Sequence, residues 1–391
     1  MPTNEKLQSF LSSTALVIDD EIIDINSTIS KIILELENHG TLFVKRRELT
    51  DAIESLSNIS FIILDWDLTK KEDVEALPPG VSLGATLLSS KKEEIIKFIK
   101  DVVTNYFIPI FIFSREDAAE IQKVLVVDDQ LKIAIEKNKI FICNKNLLQD
   151  GQVINSLNDW LNNSMAVYTF KIMEGSIEKA KHRFFNDMFE CDPNWPCHVY
   201  NTFKKDNPAD INSDFQEFLM TSYVSTIEPI AFNAAGFDKQ VALDGEQLNK
   251  IFSKIKFLSY ASDSNIGLHS GDIYFNDEEE KTEYIINVSA ACDMRNKRAY
   301  FVFGEETSSP NKHDIVCTYT IKRILGKKGI EFHLNDAELL NISGNINEIN
   351  IQRKDKTKTY KRVGRLLNPY ITALQNKFSS YITRVGVFRE S

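Results

Sequence analysis

Phe61-Ile62-Ile63-Leu64-Asp65-Trp66-Asp67 runs four apolar residues straight into a carboxylate, a tryptophan and a second carboxylate. A continuous apolar run rich in Ile and Phe predicts a strand buried on both faces. Asp65 then falls at the carboxyl end of that strand, the edge of an open α/β sheet where ligands and chemistry gather. Whether Asp65 is a nucleophile or a capping residue decides what the N-terminal part of the chain is for.

Outward from that strand, apolar runs alternate with helical patterns. Thr14 to Asp20, TALVIDD, is an apolar strand ending in two carboxylates. Ser27 is placed to cap a helix whose stripe is Ile29, Ile32, Ile33 and Leu36, and Gly40 stops it. Thr41 to Lys45 reads as a second strand and Thr50 to Leu56 as a second helix. Beyond Asp65, a loop with the breaker Pro78-Pro79-Gly80 precedes a helix from Ala85 to Tyr106, whose apolar face is Leu87, Leu88, Ile95, Phe98, Ile99 and Val102. Ile108 to Ser114 and Lys139 to Cys143 are the fourth and fifth strands, and Glu116 to Val126 and Val153 to Leu161 are helices. Five such strands joined through helices predict an α/β domain over 1–163, with a parallel sheet covered on both faces by right-handed crossovers.

The polar residues at the strand ends now align. Asp19 and Asp20 end strand one, Asp65 ends strand three, Ser114 ends strand four and Lys145 stands just past strand five. Taken singly, each carboxylate reads more readily as a helix cap or a solvated loop residue. Taken together, with the motif Val17-Ile18-Asp19-Asp20-Glu21, the set resembles a response-regulator receiver domain, the flavodoxin-like (βα)5 acceptor of two-component signalling. The resemblance implies that Asp65 accepts a phosphoryl group from a histidine kinase. It also implies that Asp20 and Asp65 ligate Mg²⁺, with Asp19 acting through water and the backbone carbonyl of Asp67 as a further ligand. The chemistry suits those residue types. Clustered carboxylates repel one another unless a hard cation joins them, a carboxylate is a competent nucleophile, and the moving phosphoryl oxygens need neutralising charge, here Mg²⁺ and Lys145. Ser114 would then bond the new phosphate and draw its loop along.

Departures from the family pattern are visible. Asp65 and Ser114 are 49 positions apart and Ser114 and Lys145 are 31 apart, both longer than usual. The first insertion, Leu68 to Gly84, is expected to act as a lid or docking surface, and the second lies near Val127 to Lys137. Asn146 stands where proline is usual, and Ile142 where a switch aromatic is often found; the adjacent Phe141 is expected to face the other way. A receiver that no longer takes phosphate is the alternative.

The second half reads as a helical connector over 164–258, then a small antiparallel β-barrel-like module over 259–391 with a C-terminal helix. In Ser164 to Phe189 the expected inward face is Ala166, Phe170, Met173, Ile177, Ala180, Phe184 and Met188; the helix packs on its own core or pairs a homodimer. Cys191-Asp-Pro-Asn-Trp-Pro-Cys197-His198 offers a metal site, but its spacing fits a rigid turn with two buried thiols better than zinc. Gly236 to Ala242 is expected to be a loop, and the last helix, Leu366 to Tyr381, to bury Leu367, Ile371, Leu374 and Phe378. His269, Asp272, Cys292 and Asp293 are candidate catalytic groups, and Arg295 and Arg298 receive no role. Arg353, Lys354, Lys356, Lys358, Lys361, Arg362 and Arg365, with Tyr360 among them, form a basic run that grips nucleic acid or is a solvated hairpin. A short pattern, GDIY…IINVSAACD, is similar to the small barrels of PemK-type toxins, without a catalytic set.

Net charge is −10. Thr318 to Ser391 holds fourteen Lys/Arg against six Asp/Glu, a net +8, which leaves −18 on the residues before it. An acidic front argues against general nucleic-acid binding, whereas the basic tail suits nucleic acid, an anionic partner or that front. The first residues, MPTNEKLQSFLSS, carry no apolar leader core, and no apolar run approaches the roughly 20 residues a bilayer span needs. Five scattered cysteines suit a reducing cytosol. A cytoplasmic protein without membrane contact is expected.

As a whole the chain resembles the stand-alone response-receiver proteins of bacterial anti-phage two-component systems. This implies a histidine kinase and a second response regulator of the same system as partners. The implied role is a phosphoryl buffer with no enzymatic activity beyond its own phosphoryl chemistry, or a receiver-gated effector whose basic β module binds or cleaves nucleic acid.

Overall fold

Alternating side chains in the first strands point to opposite faces, and both faces are covered. In the computed structural model, Ala15, Val17, Phe61, Ile63, Phe111 and Phe113 join one apolar cluster, while Leu16, Ile18, Ile62, Leu64, Ile110 and Ile112 join another. The structure describes residues 5–50, 53–68, 85–148, 152–206, 211–230, 232, 237, 245–259, 268–278, 282–289, 298–307, 318–321, 329–345, 347–353 and 356–383. The chain divides into two compact units, Met1–Lys239 and Gln240–Ser391.

The first unit is built on five parallel strands, β1 (Thr14–Ile18), β2 (Leu42–Arg46), β3 (Phe61–Leu64), β4 (Ile110–Ser114) and β5 (Ile140–Asn144), in the order β2-β1-β3-β4-β5. This is an α/β fold with the strand order of a flavodoxin-like domain, and its order reverses between β1 and β3. Helices α1 (Glu5–Leu11), α2 (Thr28–Glu37), α6 (Gln152–Asn162) and the start of α7 (Met165–Cys191) cover one face. Helices α3 (Ala85–Asn105), α4 (Ala118–Leu125) and α5 (Asp129–Glu136) cover the other.

Ser27 caps α2 by accepting from the Ser30 N–H, as the sequence predicts. The second expected helix is a 3₁₀ segment, Ile53–Asn58. The second insertion is α5, capped by Asp128 and buried through Leu131 and Ala134. The first insertion lies outside the described residues beyond Leu68, as do the side chains of Leu87 and Leu88. Phe141 packs on one face of the sheet and Ile142 on the other, the expected alternation.

Two expectations for the helical section need correction. In α7 the buried residues are Val167, Tyr168, Lys171, Ala180 and Phe184, while Phe170 and Met173 are substantially exposed. Packing on α1 and α6 turns the N-terminal half of α7 away from its most apolar stripe, and Lys171 is held by Glu174 at 2.7 Å. The two thiols expected inside a turn are both exposed. The reason is Trp195, which starts α8 (Trp195–Asp206) and is buried against Phe184 and Phe185; Cys197 thus lies on a helix, not in the turn. Helix α9 (Ile211–Ser225) follows. Residues 236 and 238–242 of the expected loop lie outside the described residues.

The second unit opens with α10 (Gly245–Lys256) and β6 (Phe257–Ser259). It continues through β7 (Asp272–Asn276), β8 (Glu283–Asn287), β9 (Arg298–Thr307), β10 (Thr318–Ile321), β11 (Gly329–Asn341), β12 (Ser343–Asn345), β13 (Glu348–Arg353) and β14 (Lys356–Leu366), ending in α11 (Tyr370–Ile382). The strands form one antiparallel sheet, β10-β11-β9-β8-β7-β14-β13-β12, with β6 also on β14. The sheet curls: Leu340 of β11 and Ile349 and Ile351 of β13, far apart in that order, share one core, and Arg353 of β13 pairs with Asp336 and Glu338 of β11. Ile371, Leu374 and Phe378 of α11 close the other face.

Candidate metal centre

The reversal of strand order opens a crevice at the carboxyl ends of β1 and β3, and the acidic residues meet there. Asp19, Asp20 and Asp65 each offer a carboxylate oxygen, and these atoms all lie within 4.8 Å of one another. Among the described residues this is the one group of His, Cys, Asp and Glu side chains that converges in this way. Lys145, carried past β5 on a 3₁₀ turn that Asn144 caps, points its ammonium into the same place. Its Nζ donates to Asp65 Oδ2 at 2.6 Å and to Asp19 Oδ2 at 3.1 Å. Asp19, Asp65 and Lys145 are buried, at 1, 5 and 2% exposure, and Asp20 is half-buried.

Three carboxylates face one ammonium, so the site carries an excess of negative charge that burial makes expensive. Burial pushes the Asp65 carboxyl up to about 7, against the pull of the Lys145 ammonium. Asp20 is raised too, by burial first and then by Asp19 and Glu21. For Lys145, burial alone would lower the pKa, but Asp65 and Asp19 carry it upward. A hard divalent cation with oxygen ligands fits this donor set, and nothing in the set selects which cation.

Ser114 ends β4 buried, its Oγ accepting the Glu116 N–H at 3.2 Å. The Asp67 N–H donates to Asp65 Oδ1 at 3.3 Å, and its side chain is exposed. The structure thus brings Asp19, Asp20, Asp65 and Lys145 together, with Ser114 and Asp67 on the flanking loops.

A ring of charge around the site was not read from the sequence. Arg115 Nη2 sits 2.5 Å from Glu21 Oε2, and Lys92 Nζ sits 2.9 Å from Glu116. The only local signal is the Arg-Glu pair after Ser114 and the third acid of VIDDE; their partners depend on the strand order.

Among the described residues, the second-unit candidates His269 and Asp272 do not form a comparable centre. Asp272 is fully buried and bound to Arg362 Nη2 at 2.5 Å and Arg365 Nε at 2.8 Å, and it accepts the His269 N–H at 2.7 Å. Cys292, Asp293, Arg295 and Lys354 lie outside the described residues, and Arg298 is exposed. Lys358 pairs with Glu283 at 3.1 Å. His198 Nε2 lies 3.4 Å from Asp192, with Cys191 and Cys197 outside any converging donor set.

No described helix is long and apolar enough to cross a membrane. No family model matches the chain, and no curated protein does.

Proposed function

We propose that the first unit is a phosphoacceptor of two-component signalling, a receiver domain that takes a phosphoryl group from a histidine kinase onto Asp65. The observation that carries this reading is the convergence of Asp19, Asp20, Asp65 and Lys145 at the carboxyl ends of β1, β3 and β5. An Asp65 carboxylate oxygen forms the new bond to phosphorus as the donor's N–P bond breaks, and the donor imidazole takes up a proton. Asp19, Asp20 and Asp65 would hold Mg²⁺, which supplies neutralising charge for phosphoryl oxygens when bound. Lys145 supplies the second positive charge, already directed at Asp65. Ser114 waits at the end of β4 to bond the acquired phosphate.

The resemblance further supports a phosphoryl buffer in anti-phage defence, cytoplasmic, alongside a second response regulator. The second unit favours the buffer over the nucleic-acid effector. Arg353, Arg362 and Arg365 are engaged with Asp336, Glu338 and Asp272, and of the described basic run Lys356 and Lys361 remain exposed. The test is incubation with acetyl phosphate and Mg²⁺: the chain gains the mass of one phosphoryl group and Asp65→Asn does not. Labelling that survives Asp65→Asn refutes the assignment.

A further inference from the structure

The Arg115–Glu21 ion pair joins two loops whose strands are not neighbours. Arg115 follows the last residue of β4 and Glu21 stands just past β1, while β3 runs between those strands. Adjacent strands lie about 4.8 Å apart, so the pair bridges about 10 Å of sheet edge, and the strand end it straddles carries Asp65. The carboxylate end is firmly seated: the Glu21 side chain is 6% exposed, and its N–H donates to Asp19 Oδ1 at 2.8 Å. The guanidinium end is 55% exposed and reaches in from solvent.

The same loop is fastened twice more. Glu116 accepts from Lys92 Nζ at 2.9 and 3.2 Å, and that ammonium lies 5.9 Å from the ring of Trp66, the residue after Asp65. Asn144 Nδ2, beside Lys145, donates to the carbonyls of Arg115 and Glu116 at 3.3 and 3.5 Å. Residues 114–116 are therefore tied directly to the ends of β1 and β5, and through Lys92 they reach Trp66 at the end of β3.

Resting on the phosphoacceptor reading, we propose that the Arg115–Glu21 pair is a bar across the entrance to Asp65, and that Arg115 exchanges Glu21 for the phosphoryl oxygens of an incoming donor. A phosphoryl anion offers a guanidinium the same kind of paired oxygens as a carboxylate, so the exchange keeps the cation paired throughout. A neutral molecule offers nothing in return and leaves the bar closed. Opening releases residues 115–116 to follow Ser114, and Glu116 passes the movement through Lys92 to α3. This is the coupling that Ile142 cannot provide as an aromatic would.

The test uses the full chain carrying Arg115→Ala, Arg115→Lys or Glu21→Gln. Without phosphodonor or divalent cation, amide hydrogen exchange over residues 20–24 and 115–117 rises about threefold in Arg115→Ala and Glu21→Gln, the worth of a partly exposed ion pair. Arg115→Lys restores most of the protection. With acetyl phosphate and Mg²⁺, Glu21→Gln gains phosphoryl mass about threefold faster at low donor concentration, and Arg115→Ala needs about threefold more donor for half-saturation. Unchanged exchange in both disrupting variants refutes the bar. Unchanged donor dependence in Arg115→Ala refutes the exchange of anions. A wild-type chain that gains no mass refutes the phosphoacceptor reading and the donor role with it, while the exchange data still judge the bar separately.

Discussion

Replacing Asp65 with Asn removes one of three crowded carboxylates while keeping an oxygen that can accept from Lys145. Burial disfavours the charged form and pushes the wild-type carboxyl up to about 7 in the fold, from an ordinary 3.8 in the unfolded chain. Between those values the folded protein holds a proton that the unfolded chain has released. Stability therefore falls as pH rises from about 4 to 7 and is level beyond. That interval corresponds to a cost on the order of 4 kcal/mol for the ionised site. Asp65→Asn is expected to match wild type at pH 4 and to exceed it by about that amount at pH 8 in the absence of divalent cations. Trp66, Trp160 and Trp195, the only tryptophans, all lie in the first unit, so their emission during urea unfolding reads that unit alone. Mg²⁺ at a hundredfold excess over its dissociation constant should add about 2.7 kcal/mol to wild type at pH 8 and narrow the gap. An Asp65→Asn protein less stable than wild type at pH 8, or a difference that stays flat from pH 4 to 8, would refute the electrostatic account of the site.

Asp272→Asn strips the carboxylate from two guanidinium groups in the second unit, one of them 1% exposed, and should destabilise that unit by about 3–5 kcal/mol in a calorimetric scan. Gly364→Ala would set a Cβ 2.3 Å from the Leu258 carbonyl oxygen and 2.4 Å from Phe257 Cζ; a loss of about 1–3 kcal/mol and faster amide exchange in β6 are expected. Cys191 and Cys197 should react with a thiol reagent in the native protein, unaffected by added zinc, while the half-buried Cys143, whose thiol burial pushes up, lags behind.

The parallel sheet was legible because four of its strands, β1, β3, β4 and β5, are apolar runs that end in polar residues. Asp19, Asp65, Ser114 and Lys145 each mark such an end, and their order along the chain carries the arrangement in space. Arg115, Glu21, Lys92 and Glu116 were opaque because their partners sit 94 and 24 positions apart and meet only once the strands are ordered. In α7, period alone favoured Phe170 and Met173, yet packing against α1 and α6 selects a neighbouring face. The cysteine pair misled for a local reason: Trp-Pro at 195–196 begins a helix rather than finishing a turn. The basic run looked solvated because its counter-charges, Asp272, Glu283, Asp336 and Glu338, lie on other strands of the curled sheet.

The place of β14 bears on how the polypeptide matures. This strand is synthesised well after β7, yet it lies inside its sheet, with β7 along one edge and β13 and β6 along the other. Strand β7 must therefore wait for a partner that leaves the ribosome some eighty residues later, holding apolar surface open to chaperones meanwhile. The five parallel strands are all paired once residue 144 has emerged, and α6 and the start of α7 cover them by residue 168. A chain stalled before β14 would on this basis hold the parallel sheet folded while β7 still lacks its partner.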